Sequence, residues 1–278
     1  MNKIINKTIF YFLIATSIFG WGRNGHIIIT NQAFALLKND MKFTQTYQDS
    51  TVAKANDPDR RIKYNKDQAP WHYIDIDFYK EFNEGRMIEL YDSLLTIYSD
   101  STIKTNGTLP WVVEKSFNNL VKAFESKDTK LIYLYSADLA HFVEDSYMPL
   151  HTTTNYDGQL TNQKGIHSRY ESKMVDMFLE DIKNGFYIQK INVIENPLKK
   201  SFNTVEGSFS LIPVILTTDL IAGNITGYKY EQNYLNLLWK KTEHITLVQM
   251  NGAAKDVASY IYSAWLKAGQ PKIENLIE

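Results

Sequence analysis

Apolar residues recur every three or four positions through much of the chain, and that period constrains the fold more than any other feature. Val113, Phe117, Leu120, Val121 and Phe124 keep this spacing, which puts them on one face of an α-helix that a core must cover. Asp128 stands where a helix N-cap is wanted, and the helix it starts should run to about Tyr147 and stop at Pro149. Near the C-terminus Ala254, Val257, Ala258, Ile261 and Trp265 form another stripe, ended by Gly269 and Pro271. A further helix is expected between Pro197 and Gly223, after a loop around residues 191–200. Strand-like alternation is confined to short pieces such as residues 187–193, and there is no internal repeat. The expectation is an all-α protein with a single mainly helical domain over residues 21–278. At 44% hydrophobic and 13% aromatic residues, the chain can bury a substantial core.

Residues 1–20 read differently. Lys3 and Lys7 precede an apolar run over residues 8–19, the layout of a secretory signal peptide and too short to span a bilayer comfortably. Cleavage after Gly20 would make Trp21 the N-terminus and deliver a secreted or periplasmic protein with no stable membrane span, expected to be a monomer. Ile18 fits the cleavage pattern imperfectly, which leaves an uncleaved membrane anchor as the alternative. Loss of the leader takes the formal net charge from −1 to −3. No basic run then remains to form a dedicated nucleic-acid groove, although bound metal ions would add positive charge. The chain contains no cysteine, so disulfides and thiolate-based zinc or redox chemistry are excluded.

The chemistry gathers at the histidines, of which there are six. In Asp138-Leu-Ala-His141-Phe-Val-Glu-Asp145 the step from His141 to Asp145 is one helical turn, so both side chains leave the same face. His151 follows just past Pro149, and His167 with Glu171 repeats the one-turn step on the next expected helix. Imidazole and carboxylate are the ligands zinc accepts when thiolate is absent. One His-x-x-x-acid pair is commonplace; two within about thirty residues, with His151 between them, point to a metal site. His244 has no such company and reads as structural or exposed.

These residues carry a resemblance. The stretch from Trp21 through at least Asp176 resembles the superfamily of zinc-dependent phospholipases C and single-strand-specific (mung-bean-type) nucleases. In that family the mature chain begins with a tryptophan whose amine and carbonyl bind zinc, followed closely by a histidine; here the sequence reads Trp21-Gly-Arg-Asn-Gly-His26. An aspartate some fifteen residues before a His-aromatic-x-Asp motif is matched by Asp57 and His72-Tyr73-Ile74-Asp75. His-x-x-x-Asp-x-x-x-Pro-x-His is matched by His141, Asp145, Pro149 and His151, and a final His-x-x-x-acid by His167 and Glu171.

The resemblance implies three zinc ions (Zn2+). Asp57, His72, His141 and Asp145 would hold the first, His151, His167 and Glu171 the second, and Trp21 with His26 the third, bridged by Asp145. Asp59 rivals Asp57 within the same motif, and the spacing to His72 favours Asp57. The implied reaction is hydrolysis of a phosphodiester by a zinc-activated hydroxide, with in-line attack. Arg60 matches a basic residue that suits a pentacoordinate phosphate, or else forms a surface ion pair with Asp57 or Asp59. Asp57 would also relay the proton.

Two substrate classes remain open, a phospholipid headgroup and single-stranded nucleic acid. The short step from Trp21 to His26 is nuclease-like, and Tyr73 and Asp75 match positions where the nucleases stack and hydrogen-bond a base. Against this, Gly165-Ile-His167-Ser-Arg-Tyr170-Glu171 resembles the phospholipase stretch around the same ligands, and the nucleases' Gly-Gly-Asn segment after the His151 position is absent. The balance leans to a phospholipase C-type enzyme. A zinc-stabilised binding protein without turnover, its metals standing in for the missing disulfides, is the third alternative.

Overall fold

The structure, a computed structural model, describes residues 21–274 and 276–277; the expected leader, residues 1–20, lies outside them. The main helices are α1 (Gly22–Leu37), α2 (Gln45–Lys54), α3 (Asp57–Ile62), α4 (Leu109–Ser126), α5 (Thr129–Ser146), α6 (Pro197–Phe209), α7 (Ile212–Thr226) and α8 (Gln232–Lys267). No strand occurs among the described residues, only isolated bridges such as Phe43 with Ile277. The protein is a single, mainly helical domain.

Local chemistry sets the central hairpin. Lys127 takes a left-handed conformation (φ 53°) that ends α4, and its N–H donates to the Ala123 and Phe124 carbonyls. Asp128 then caps α5, its carboxylate accepting from the N–H groups of Lys130 and Leu131 at 3.0 and 3.1 Å. Such a tight link leaves α4 and α5 packed as neighbours, with Val113, Phe117, Leu120 and Phe124 buried. The 36-residue α8 is about 54 Å long and packs against α1, α4, α5 and α7. Its last third is the expected stripe from Ala254 to Trp265.

Two expectations are corrected. The single helix between Pro197 and Gly223 is two, α6 and α7, broken at residues 210 and 211. Pro213 sits in the first turn of α7, where its missing N–H costs nothing, but within a continuous helix it would remove a backbone bond and clash with the preceding turn. Residues 187–193 form no strand. With no partner strand, the N–H groups of Tyr187, Asn192 and Ile194 donate to Asn251, Ser259 and Ser263 on α8, at 3.1, 3.1 and 2.7 Å.

Candidate metal centre

Four segments converge on one buried cluster: the start of α1, the α3 region through His72, the C-terminal half of α5 with the turn after it, and residues 166–177. On α5, His141 and Asp145 are fully buried on the same face. Met148 and Pro149 end the helix and start a 3₁₀ turn, Pro149–His151, which turns His151 back toward Asp145. His167 and Glu171 stand either side of the entry to a π-helical turn, Arg169–Met174, a widened geometry that often marks functional sites. Their Nε2 and Oε2 atoms lie 2.7 Å apart.

Three groups of donor atoms assemble: His26, His141 and Asp145; Asp59, His72 and His141; and His151, His167 and Glu171. Asp145 faces two ways. Its Oδ2 is 3.0 Å from His72 Nδ1 and 3.3 Å from His141 Nε2, while Oδ1 lies 3.7 Å from both His26 Nε2 and His151 Nδ1.

Oxygen acceptors behind the rings fix which nitrogen faces inward. His141 Nδ1 donates to the Ala55 carbonyl at 2.8 Å and His151 Nδ1 to the His72 carbonyl at 2.6 Å. The carboxylate of Glu144 holds His26 Nδ1 at 2.5 Å and accepts from Thr30 Oγ1 at 2.8 Å. A donating Nδ1 leaves Nε2 as the lone-pair atom, which is how outer-shell partners orient metal-binding histidines.

The residues present fit a metal. His26 Nε2, both Asp59 oxygens, Asp145 Oδ1 and Glu171 Oε2 are buried with no hydrogen-bond partner, a cost of about 1–3 kcal/mol per atom that a cation relieves. His151 Nε2 and His167 Nε2 stand 3.1 Å apart, and His141 Nε2 and His72 Nδ1 stand 3.0 Å apart. Two nitrogens on one tetrahedral ion at zinc–nitrogen lengths would stand about 3.3 Å apart.

Charge is balanced within the cluster. Burial pushes Asp145 up, but His141, His151 and His72 outweigh it and hold the carboxyl well below its usual range. Burial opposes the charge on His141, yet Asp145 and Asp59 raise it well above an ordinary imidazole. Burial drives Glu171 well up and His167 down to about 4. His167 is therefore neutral near pH 7, the form that ligates.

Most of the sequence-derived ligands meet here; Asp57 does not. Its carboxylate is partly exposed and pairs with Arg60, whereas Asp59 is buried with Oδ1 3.4 Å from both His72 Nδ1 and His141 Nε2. Asp59 therefore replaces Asp57 in the cluster. Arg60 points outward, its side chain 61% exposed, and forms the ion pair with Asp57 instead of lining the cluster.

Trp21 lies beside the cluster. Its buried indole donates to the Glu144 carbonyl at 3.0 Å. Gly22, at φ +64°, backs onto Ser172 and the Glu171 carbonyl so closely that a Cβ would meet Ser172 Oγ at 3.1 Å. Tyr73 and Asp75, both half-buried, flank the site next to His72. The turn at Gly107 holds them: a Cβ there would fall 2.1 Å from the Tyr73 carbonyl, and Asp75 N–H donates to the Asn106 carbonyl at 2.8 Å. Burial, with Asp77 nearby, raises Asp75 to about 7. Burial, with Asp75 and Tyr156 nearby, raises Tyr73 to about 12.

Two residues at the site are not marked by any spacing in the sequence. Glu144 was visible as an acid next to Asp145 within a run of buried apolar residues, but its partner His26 is 118 positions away. Tyr156 stacks edge-on near His167, ring centres 6.0 Å apart, and carried no local signal.

A family model described as S1/P1 Nuclease matches residues 21–210. The chain belongs to the S1/P1 nuclease family. The match contains every donor of the cluster and leaves α7 and α8 outside it. Membership supports a phosphodiesterase or nuclease-type hydrolase activity and agrees with a metal-dependent centre built on the His/Asp clusters. A comparison with curated proteins finds no match.

Proposed function

We propose that the protein is an exported, zinc-dependent phosphodiesterase of the S1/P1 nuclease family that acts on phospholipid headgroups in phospholipase C fashion. The observation that carries the phosphodiesterase reading is the convergence of buried, unsatisfied imidazole and carboxylate atoms around Asp145. Asp59, His72, His141 and Asp145 would hold one ion, and His151, His167 and Glu171 a second. His26 and the backbone of Trp21 would hold a third, shared with the first through Asp145. Zinc suits a donor set of nitrogen and oxygen without thiolate. Export is supported by the charged-then-apolar run before Trp21, and a zinc held by the free amine of Trp21 would require that leader to be cleaved.

When bound, divalent ions lower the pKa of water toward neutrality and stabilise an anionic leaving oxygen. The chain's own part is to hold, orient and move protons. Ala55, the His72 carbonyl and Glu144 keep the imidazoles in their ligating tautomers. Asp59 Oδ2, buried and unpartnered, is the atom suited to take the proton from water as it attacks phosphorus. The phosphorus–oxygen bond to the alcohol then breaks and the proton taken up by Asp59 passes to the leaving oxygen, giving a phosphomonoester and a free alcohol.

The lipid assignment rests on the stretch from Gly165 to Glu171 and on the missing Gly-Gly-Asn segment. A single-strand nuclease or 3′-nucleotidase is the second reading, favoured by the family model and by Tyr73 and Asp75 beside the site. Zinc-loaded protein beginning at Trp21, assayed on phosphatidylcholine, single-stranded DNA, RNA and a nucleoside 3′-monophosphate, separates them. The expected result is turnover of phosphatidylcholine above the rest. Preference for nucleic acid would overturn the lipid assignment, and inactivity on all four would overturn the enzyme.

A further inference from the structure

Helix α7 breaks the ordinary pattern of a surface helix. A helix on the outside of a domain shows polar residues to solvent, but the exposed positions of α7 are Pro213, Val214, Thr217, Leu220, Ile221, Asn224 and Ile225. None is charged. Ile225 is 65% exposed, Val214 43%, Leu220 40% and Ile221 39%. The one charged residue of the helix, Asp219, faces inward, where it holds Arg169 at 2.8 Å and accepts from the Tyr234 hydroxyl. An exposed, uncharged and mostly apolar face of this kind, interrupted only by Thr217 and Asn224, marks an interaction surface.

Its surroundings define the partner. The groove beside the stripe is lined by Pro213, Val214, Thr217, Thr218 and Ile221 on one side and by Lys240 and Lys241 of α8 on the other. Past the end of α7 stand Tyr228, Lys229 and Tyr230, all exposed. Apolar side chains fringed by lysines and tyrosines match the layers of an anionic bilayer surface, where acyl chains take the apolar groups and headgroups take the cations and phenols. Glu243 is the acid nearest in sequence to the lysine pair on α8 and is also exposed; the charged residues that line the groove itself are Lys240 and Lys241. At 15 residues α7 is too short to cross a bilayer, so it would lie in the surface plane. A second copy of the chain offers no anionic partner for Lys240 and Lys241 within this patch, whose lining holds no acid, whereas an anionic bilayer does.

The helix is tied to the metal centre. Gln163 Nε2 donates to the Leu216 carbonyl at 2.7 Å and to Asp219 at 2.8 Å, and Arg169 lies between His167 and Glu171 in the chain. We propose that the exposed face of α7, with Tyr228, Tyr230 and the fringe of Lys229, Lys240 and Lys241, seats the protein on anionic lipid bilayers beside its active site. This deepens the phospholipid reading and rests on it.

The test is flotation of the metal-loaded protein with vesicles of phosphatidylcholine containing phosphatidylserine, and with phosphatidylcholine alone, for wild type, Ile221→Glu/Ile225→Glu and Lys240→Glu/Lys241→Glu. Turnover of a soluble aryl phosphodiester is read in parallel to show that the site is intact. Wild type is expected to float with the anionic vesicles. The isoleucine pair should abolish flotation, the lysine pair should weaken it by on the order of fivefold per lysine, and both should keep soluble turnover within about twofold. Absence of wild-type flotation with intact soluble turnover overturns the proposal, as do variants that float like wild type. A dimer in solution that the isoleucine pair dissociates makes a second copy the occupant and overturns it too. Flotation without any phospholipid hydrolysis supports the surface and overturns the phospholipid substrate instead.

Discussion

Asp57 and Asp59 lie two positions apart on α3, about 200° around the helix axis, so only one of them can face the cluster. The packed face is that of Asp59, buried beside His72 and His141, while Asp57 is left with Arg60 at the surface. Asp59→Asn is expected to lower metal content and diester turnover by more than the 10- to 100-fold typical of an outer-shell partner, and Asp57→Asn to leave both near wild type. Elemental analysis with a turnover assay checks this. Glu144→Ala removes the acceptor behind His26 and should weaken zinc affinity by about 10- to 100-fold, with Glu144→Gln milder because an amide oxygen still accepts from Nδ1. A competitive zinc titration reads both. Asp75 adds a pH signature. Its folded pKa of about 7 lies above its unfolded value, so its contribution to stability is complete below the unfolded pKa and is lost as pH rises through about 7. Asp75→Asn should therefore gain melting temperature relative to wild type between about pH 4 and 7, with no further gain above. Spacing alone brought His141, Asp145, His167 and Glu171 together, because a one-turn step is local geometry. The choice between Asp57 and Asp59 depends on what α3 packs against, which no spacing encodes.

Among elements, the tie between α7, α8 and residues 157–169 is the most exposed to a single change. Asp219 receives Arg169, Gln163 and Tyr234, and Arg169 also stacks over the Tyr230 ring at 4.0 Å. Asp219→Ala leaves a buried guanidinium without its counter-charge, at a cost of about 3–5 kcal/mol. The melting temperature should then fall by roughly 2–4 °C for each kcal/mol, and less than 1 kcal/mol lost in chemical denaturation would contradict this account. The long apolar periods of α4 and of the end of α8 were readable because each buries one continuous face. The break between α6 and α7 was signalled by Pro213, but the apolar residues on both sides mask it. Residues 187–193 alternate like a strand yet use side chains of α8 as acceptors, a tertiary solution with no sequence period.

At the scale of the whole molecule, a domain without cysteine concentrates buried acids and imidazoles at the meeting point of α1, α3, α5 and residues 166–177. Under the proposed function, ions bound there would lower the free energy of the folded chain as well as enable turnover, and at a free concentration 1,000 times the dissociation constant each independent site would contribute about 4 kcal/mol. Stability and activity should therefore fall together when metal is removed. The most direct measurement is zinc content per chain alongside phosphodiester turnover and melting temperature, on protein beginning at Trp21 that is stripped by chelator and then titrated back with zinc. The account predicts that stripped protein is inactive and melts lower, and that both properties return as zinc approaches three per chain. Full turnover in protein shown to be free of metal would contradict it.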